Sequence, residues 1–132
     1  MAEVRYTSET GGEKGRKLEE YALIPPDPLA ELARVYGVGA AKYSPNNYQN
    51  GYPYSWSLSA MQRHIEAFRS GHSRDGDTHL HHLAHAAWHA FTLIEFEINK
   101  IGTDDRLCTW RKNNESNTDV SWRKHNESNA DV

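Results

Sequence analysis

The chain carries a single cysteine, Cys108, in 132 residues. No internal disulfide can form, and a four-cysteine zinc cluster is excluded within one chain. Any metal must therefore be held mainly by histidine and carboxylate. Long apolar runs are missing as well: no stretch approaches the roughly 20 residues of a membrane span, and the opening MAEVRYTSET has no apolar signal-type core. Charge of one sign is not in excess, with 15 Lys and Arg against 18 Asp and Glu and a net charge of -3. That balance gives no general footprint for nucleic acid or membrane, although it leaves room for a small nucleotide. The expectation is a protein of the reducing cytoplasm with no membrane or nucleic-acid partner. Three motifs are also lacking: the phosphate-binding GxxxxGK[ST] loop, the zinc motif HExxH, and the adjacent His-Asp pair of metal-dependent phosphohydrolases.

What the chain does have is histidine, and it is concentrated. The stretch from Arg63 to His89 holds seven of the eight histidines with Asp75 and Asp77. The length suits one domain with a modest core, and a mean hydropathy of -0.85 points to an appended polar segment. That segment is visible from residue 104 onward, where WRKNNESNTDV at 110–120 is repeated as WRKHNESNADV at 122–132. Two hydrophilic copies cannot bury a face by stacking. The expected division is therefore a helical domain over 1–103 and a disordered repeat tail over 104–132.

Within the first part the periodicity predicts three main helices. Asp27 and Pro28 read as N-cap and first helical position, followed by an apolar stripe at Leu29, Leu32, Ala33 and Tyr36, with Gly37 or Gly39 closing the helix. Ser57 caps a second helix with Leu58, Met61, Ile65 and Phe68 on one side and His64 just off its edge. Thr78 caps a third helix running to about Ile101. On its wheel Leu80, Leu83, Ala87, Ala90, Phe91, Ile94 and Ile98 gather on one side, and His81, His82, His85 and His89 on the other. A helix with two such faces needs a partner surface, so a homo-oligomer is expected.

Two connecting segments stand out. The glycine-bearing SETGGEKGRK disfavours regular helix and reads as a flexible arm, with Lys14 available to an anion. The loop GAAKYSPNNYQNGYPYSW has no period but carries five aromatic side chains. Those aromatics either pin a long loop to the domain or stack on a nucleobase, with Tyr43, Asn47 and Trp56 as base contacts.

The chemistry points to a divalent metal. His82, His85 and His89 follow one another at i, i+3 and i, i+4 spacing, so their imidazoles share a helix face. Asp75 and Asp77 lie just before that helix, and antiparallel packing of the second and third helices brings His64 opposite. Asp75, Asp77, His82 and His85 are the candidate ligands, with Asp75, Asp77, His64 and His85 the candidate catalytic groups. Mixed donors of this kind suit Zn, Mn, Co or Fe, and the carboxylates alone suit Mg bridging phosphates. Arg63, Lys42 and Lys14 are the candidate phosphate cations, and metal-assisted attack of water on a phosphoanhydride is the natural chemistry. Two blander readings stand beside it: the aspartates fit ordinary turn capping, and the histidine face fits a solvated or subunit-contact surface.

The order of SETGGEKGRK, LIPPDPLAELARVYGVGAAKY, NNYQNGYPYSWS, RHIEAFRSG and HLAHAAWHA resembles the N-terminal domain family of phage dATP/dGTP diphosphohydrolases. That family is similar in outline to the all-α MazG-like nucleotide pyrophosphohydrolases. The resemblance covers residues 8 to about 97. It implies an all-α bundle of three to four helices with a long aromatic loop, set in host cytoplasm. It also implies release of pyrophosphate from a purine deoxynucleoside triphosphate with Mg or Mn. Its acidic pair and HLAH helix fall on Asp75, Asp77, His82 and His85, its RH pair on Arg63 and His64, and its GAxKY and Asn-aromatic segments on Lys42, Tyr43 and Asn47. The sequence departs from that pattern at His72, where the resemblance expects glutamate, and it has no EExxE helix. A nucleotide-sequestering protein of related fold that performs no turnover is the alternative.

Overall fold

A computed structural model of the chain describes residues 4–114. The N-terminal segment is a hairpin, with β1 (Val4–Thr7) antiparallel to β2 (Glu13–Arg16) and Val4 opposite Arg16. This corrects the all-α expectation, since the described chain is mostly helical with a small sheet. The reason is local. Ser8 closes the turn with its backbone and its hydroxyl, which accepts from the Gly12 N–H at 2.9 Å, and the flanking VRYT favours an extended chain.

After a 3-10 turn at Tyr21–Leu23 the chain enters α1 (Pro26–Lys42). The helix begins two residues earlier than the Asp27–Pro28 reading and runs through Gly37 and Gly39. Both prolines fall in the first turn, where an absent N–H costs nothing, and packing of the buried Leu32 and Val35 carries the helix across the glycines. A second 3-10 turn at Asn47–Asn50 interrupts the aromatic loop before α2 (Tyr54–Arg69) and α3 (His82–Asn99). Helix α3 starts at His82 rather than Thr78. Its N-cap is His81, whose Nδ1 accepts from the Leu83 N–H at 3.0 Å.

Helices α2 and α3 pack antiparallel, as expected, matching Tyr54 with Phe96, Ser57 with His89 and His64 with His82. Helix α1 packs on α3 through Tyr36 and Trp88. The inward side of α3, however, is not the apolar one. His82, Thr92 and Phe96 are buried, with His85 and His89 half-buried beside them, while Leu83, Phe91, Ile94 and Ile98 are exposed. Imidazoles can sit inside because α2 supplies hydrogen-bond partners to His82 and His89, and the loop before α3 supplies Thr78 to His85.

The chain does not leave the body at residue 104. The Tyr54 N–H donates to the Thr103 carbonyl at 2.9 Å. Asp105 caps the start of α2, accepting from the Ser55 N–H at 2.9 Å and the Ser55 hydroxyl at 2.6 Å. A short helix, α4 (Leu107–Asn114), follows, so the described part of the expected tail is helical. The repeat beyond Asn114, including Trp122, lies outside the described residues. No helix among the described residues is long and apolar enough to cross a membrane.

Candidate functional site

Between α1, the aromatic loop and the histidine face of α3 lies a cleft of about 800 Å³. His64, His85 and His89 line it beside Asp75 and Thr78, whereas the buried His82 does not. His64, Asp75 and His82 each offer a ligand atom, all within 4.8 Å of one another. His64 Nδ1 and His82 Nδ1 are 2.9 Å apart, and the His64 ring stacks on His85 with centroids 4.6 Å apart.

Asp75 is positioned by the loop before α3. Its Oδ1 accepts from the Asp77 and Thr78 N–H groups, both at 2.9 Å, and from the Thr78 hydroxyl at 3.3 Å. Burial pushes the Asp75 carboxyl up, but the donations from Thr78 and Asp77 and the charge of His85 outweigh it and hold it below the ordinary range. Burial lowers His64 and His85, and in His64 the neighbouring His85 and His82 add to it. These shifts favour the neutral imidazole of His64 and the ionised carboxylate of Asp75, the forms that ligate metal.

Beside it runs a second polar chain. The Tyr52 hydroxyl is 2.6 Å from Ser57 Oγ, which is 2.9 Å from His89 Nδ1. Ser57 is fully buried, so this serine, read from sequence as a helix cap, instead fixes a histidine ring in the interior. Burial, with His64, His85 and Arg63 nearby, lowers His89 to about 4.

The aromatic loop divides into two roles. Tyr48 packs against Tyr36 and Trp88, and Tyr52 and Tyr54 pack against Phe96, so these rings hold the loop down. Tyr43 and Trp56 are 66% and 64% exposed at the cleft and remain open to stacking, with Trp56 lying on Tyr52 at an interplanar angle of 14°. Lys42 lines the same cleft with its Nζ 5.2 Å from the Tyr43 ring centroid, and Asn47 lines it as well.

Not every expected site residue converges. Asp77 lines the cleft, but it stands outside the ligand group and its backbone supports Asp75. His85 also stands outside that group, with its Nε2 2.7 Å from the Thr78 hydroxyl, and His64 takes the third place. Arg63 is exposed and does not line the cleft, although its charge reaches His64 and His89. Lys14 is on the exposed hairpin, away from the cleft. Sequence reading missed Thr78 and Ser57 as partners of His85 and His89. A hydroxyl seven residues before a histidine is a weak local signal, and the Ser57–His89 contact spans 32 residues.

Fold and site together define a mostly helical domain with a His/carboxylate cluster beneath an aromatic cleft. A family model described as dATP/dGTP diphosphohydrolase, N-terminal, matches residues 8–106, and the chain belongs to that family. A Salmonella phage PMBT28 protein named dATP/dGTP diphosphohydrolase is 35% identical over 85 residues, which are 64% of this chain and 29% of that protein. The chain thus spans under a third of the length of that relative. No solved structure matches.

Proposed function

We propose that this chain binds a purine deoxynucleoside triphosphate in the aromatic cleft and hydrolyses it to the monophosphate and pyrophosphate with a divalent metal. The observation that carries this reading is the convergence of His64, Asp75 and His82 within 4.8 Å, with His64 and Asp75 lining a cleft whose walls present Tyr43 and Trp56. The name of the phage relative supplies the substrate class.

The donor set fits a metal. Two imidazoles and one carboxylate suit Mn, Co or Zn better than Mg, whose preferred ligands are all oxygens. His64, His82 and the Asp75 oxygen not occupied by Thr78 and Asp77 would hold it. Such an ion, when bound, polarises a phosphoryl oxygen and neutralises charge building up on it. Tyr43 and Trp56 stack on the base, Asn47 reads its edge, and Lys42 pairs with phosphate. His85, held by the Thr78 hydroxyl, is the neutral imidazole placed to accept a proton from the attacking water. Water oxygen bonds to the α-phosphorus, the bond from that phosphorus to the bridging oxygen breaks, and pyrophosphate leaves.

A second reading, binding without turnover, is favoured by one observation. The ligand group contains a single carboxylate, with Asp77 outside it. The test is to incubate the pure chain with each dNTP and Mn, Co, Zn or Mg, then to separate the small molecules. Monophosphate plus pyrophosphate, lost in Asp75→Ala, supports hydrolysis. Tight binding with the triphosphate recovered intact supports sequestration, and neither result from any dNTP removes both.

A further inference from the structure

Turning the histidines inward leaves the opposite side of α3 in water. Leu83, Phe91, Ile94 and Ile98 are 38%, 51%, 54% and 71% exposed. With Ala87 they fall within an arc of roughly 80° at about 100° per residue. No charged side chain interrupts the stripe, and from Ala87 the positions Phe91, Ile94 and Ile98 recur in the alternating spacing of a coiled-coil seam.

We propose that a second copy of this chain covers the stripe, so that two α3 helices pack face to face in a twofold dimer. The area argues for this occupant. Side chains of this size, exposed to these fractions, leave on the order of 400–500 Å² of apolar surface in water. A standard interface buries about 800 Å² per partner, of which about 56–65% is apolar, so the stripe supplies the whole apolar share of one. The seam is also self-complementary, because Phe91 sits at its middle and meets its own counterpart across a twofold axis. The flanking acids do not oppose the approach: Glu97 faces Arg106 of its own chain at 3.7 Å, and Glu95 is bonded by the Asn99 side chain. The cleft lies on the other face of α3, so both copies keep it open. The proposal does not rest on the hydrolase reading.

Light scattering on the full chain over a dilution series tests it. The expected mass is twice the 15.1 kDa of one chain. Ile94→Glu, at an exposed position, should give a monomer with an unchanged helical circular-dichroism spectrum, whereas Leu107→Glu on α4 should remain dimeric. A wild-type monomer at every concentration, or a dimer untouched by Ile94→Glu, overturns the proposal. If Ile94→Glu fails to fold, Phe91→Cys in a Cys108→Ser background decides: oxidation to a covalent dimer supports the seam, and none refutes it.

Discussion

Gly102 is the residue on which the join between α3 and the returning chain depends, and replacing it with alanine isolates that dependence. Its φ is +74°. An added Cβ would stand 2.5 Å from the Tyr52 carbonyl oxygen and 3.1 and 3.3 Å from two carbons of the Phe96 ring. Neither neighbour can yield cheaply: that carbonyl accepts from the Thr103 N–H, and Phe96 is fully buried. Left-handed backbone costs a non-glycine residue about 1–2 kcal/mol. Overpacking a tight core adds about 1–3 kcal/mol, so Gly102→Ala should lose about 3 kcal/mol. From a total of about 5–15 kcal/mol that is a large share, and it corresponds to a fall in Tm of more than about 10 °C. Two other glycines calibrate the number. Gly71 has φ +99° and nothing within 4 Å, so Gly71→Ala carries the backbone cost alone. Gly37 lies inside α1 with nothing within 4 Å, and Gly37→Ala should gain about 0.5–1 kcal/mol from helix propensity. Urea denaturation of the three variants should rank Gly37→Ala above wild type, then Gly71→Ala, then Gly102→Ala. A Gly102→Ala protein no less stable than Gly71→Ala would refute the steric reasoning.

Acid should destabilise the metal-free protein once pH falls below 6.5. Burial lowers His89 from 6.5 to about 4, so the unfolded chain takes up that proton first; stability is full above pH 6.5 and falls as pH drops toward 4. Urea midpoints at pH 7.5, 6.5 and 5.5 should decline, less steeply in His89→Gln, and a flat or rising series would sink the assignment. Divalent metal should raise Tm, by the equivalent of about 2.7 kcal/mol when free ion exceeds Kd a hundredfold. His64→Ala should abolish that shift while Asp77→Ala keeps it, so equal losses would return Asp77 to the ligand set. Asp105→Ala should lower the urea midpoint by freeing the first turn of α2, with Asp105→Asn restoring part of it; no change would mean that water replaces the cap.

The positions of α1, α2 and α3 were legible because each carries its own period and punctuation, whereas α4 fell in the stretch that reads as tail; the inward-facing His64 followed from pairing the second helix with the third. Boundaries were less legible. Thr78 and Ser57 look like caps in sequence, yet their hydroxyls are committed to His85 and His89, partners that local spacing does not advertise. The cap of α2 comes from Asp105, fifty residues on, inside the stretch that reads as tail.

The sequence by itself determined the chemical inventory: imidazoles at helical spacing, aspartates before them, aromatics in a loop, and membership of a nucleotide-hydrolase family. Only the tertiary structure decided which face of α3 points inward. A helical wheel separates the faces by their own polarity and does not say which of them packs inward. Burial depends instead on what the neighbours offer. Helix α2 offers Ser57 to His89 and His64 to His82, and the loop before α3 offers Thr78 to His85, so the histidines went in, bringing His64, Asp75 and His82 together and leaving the apolar face to the solvent side.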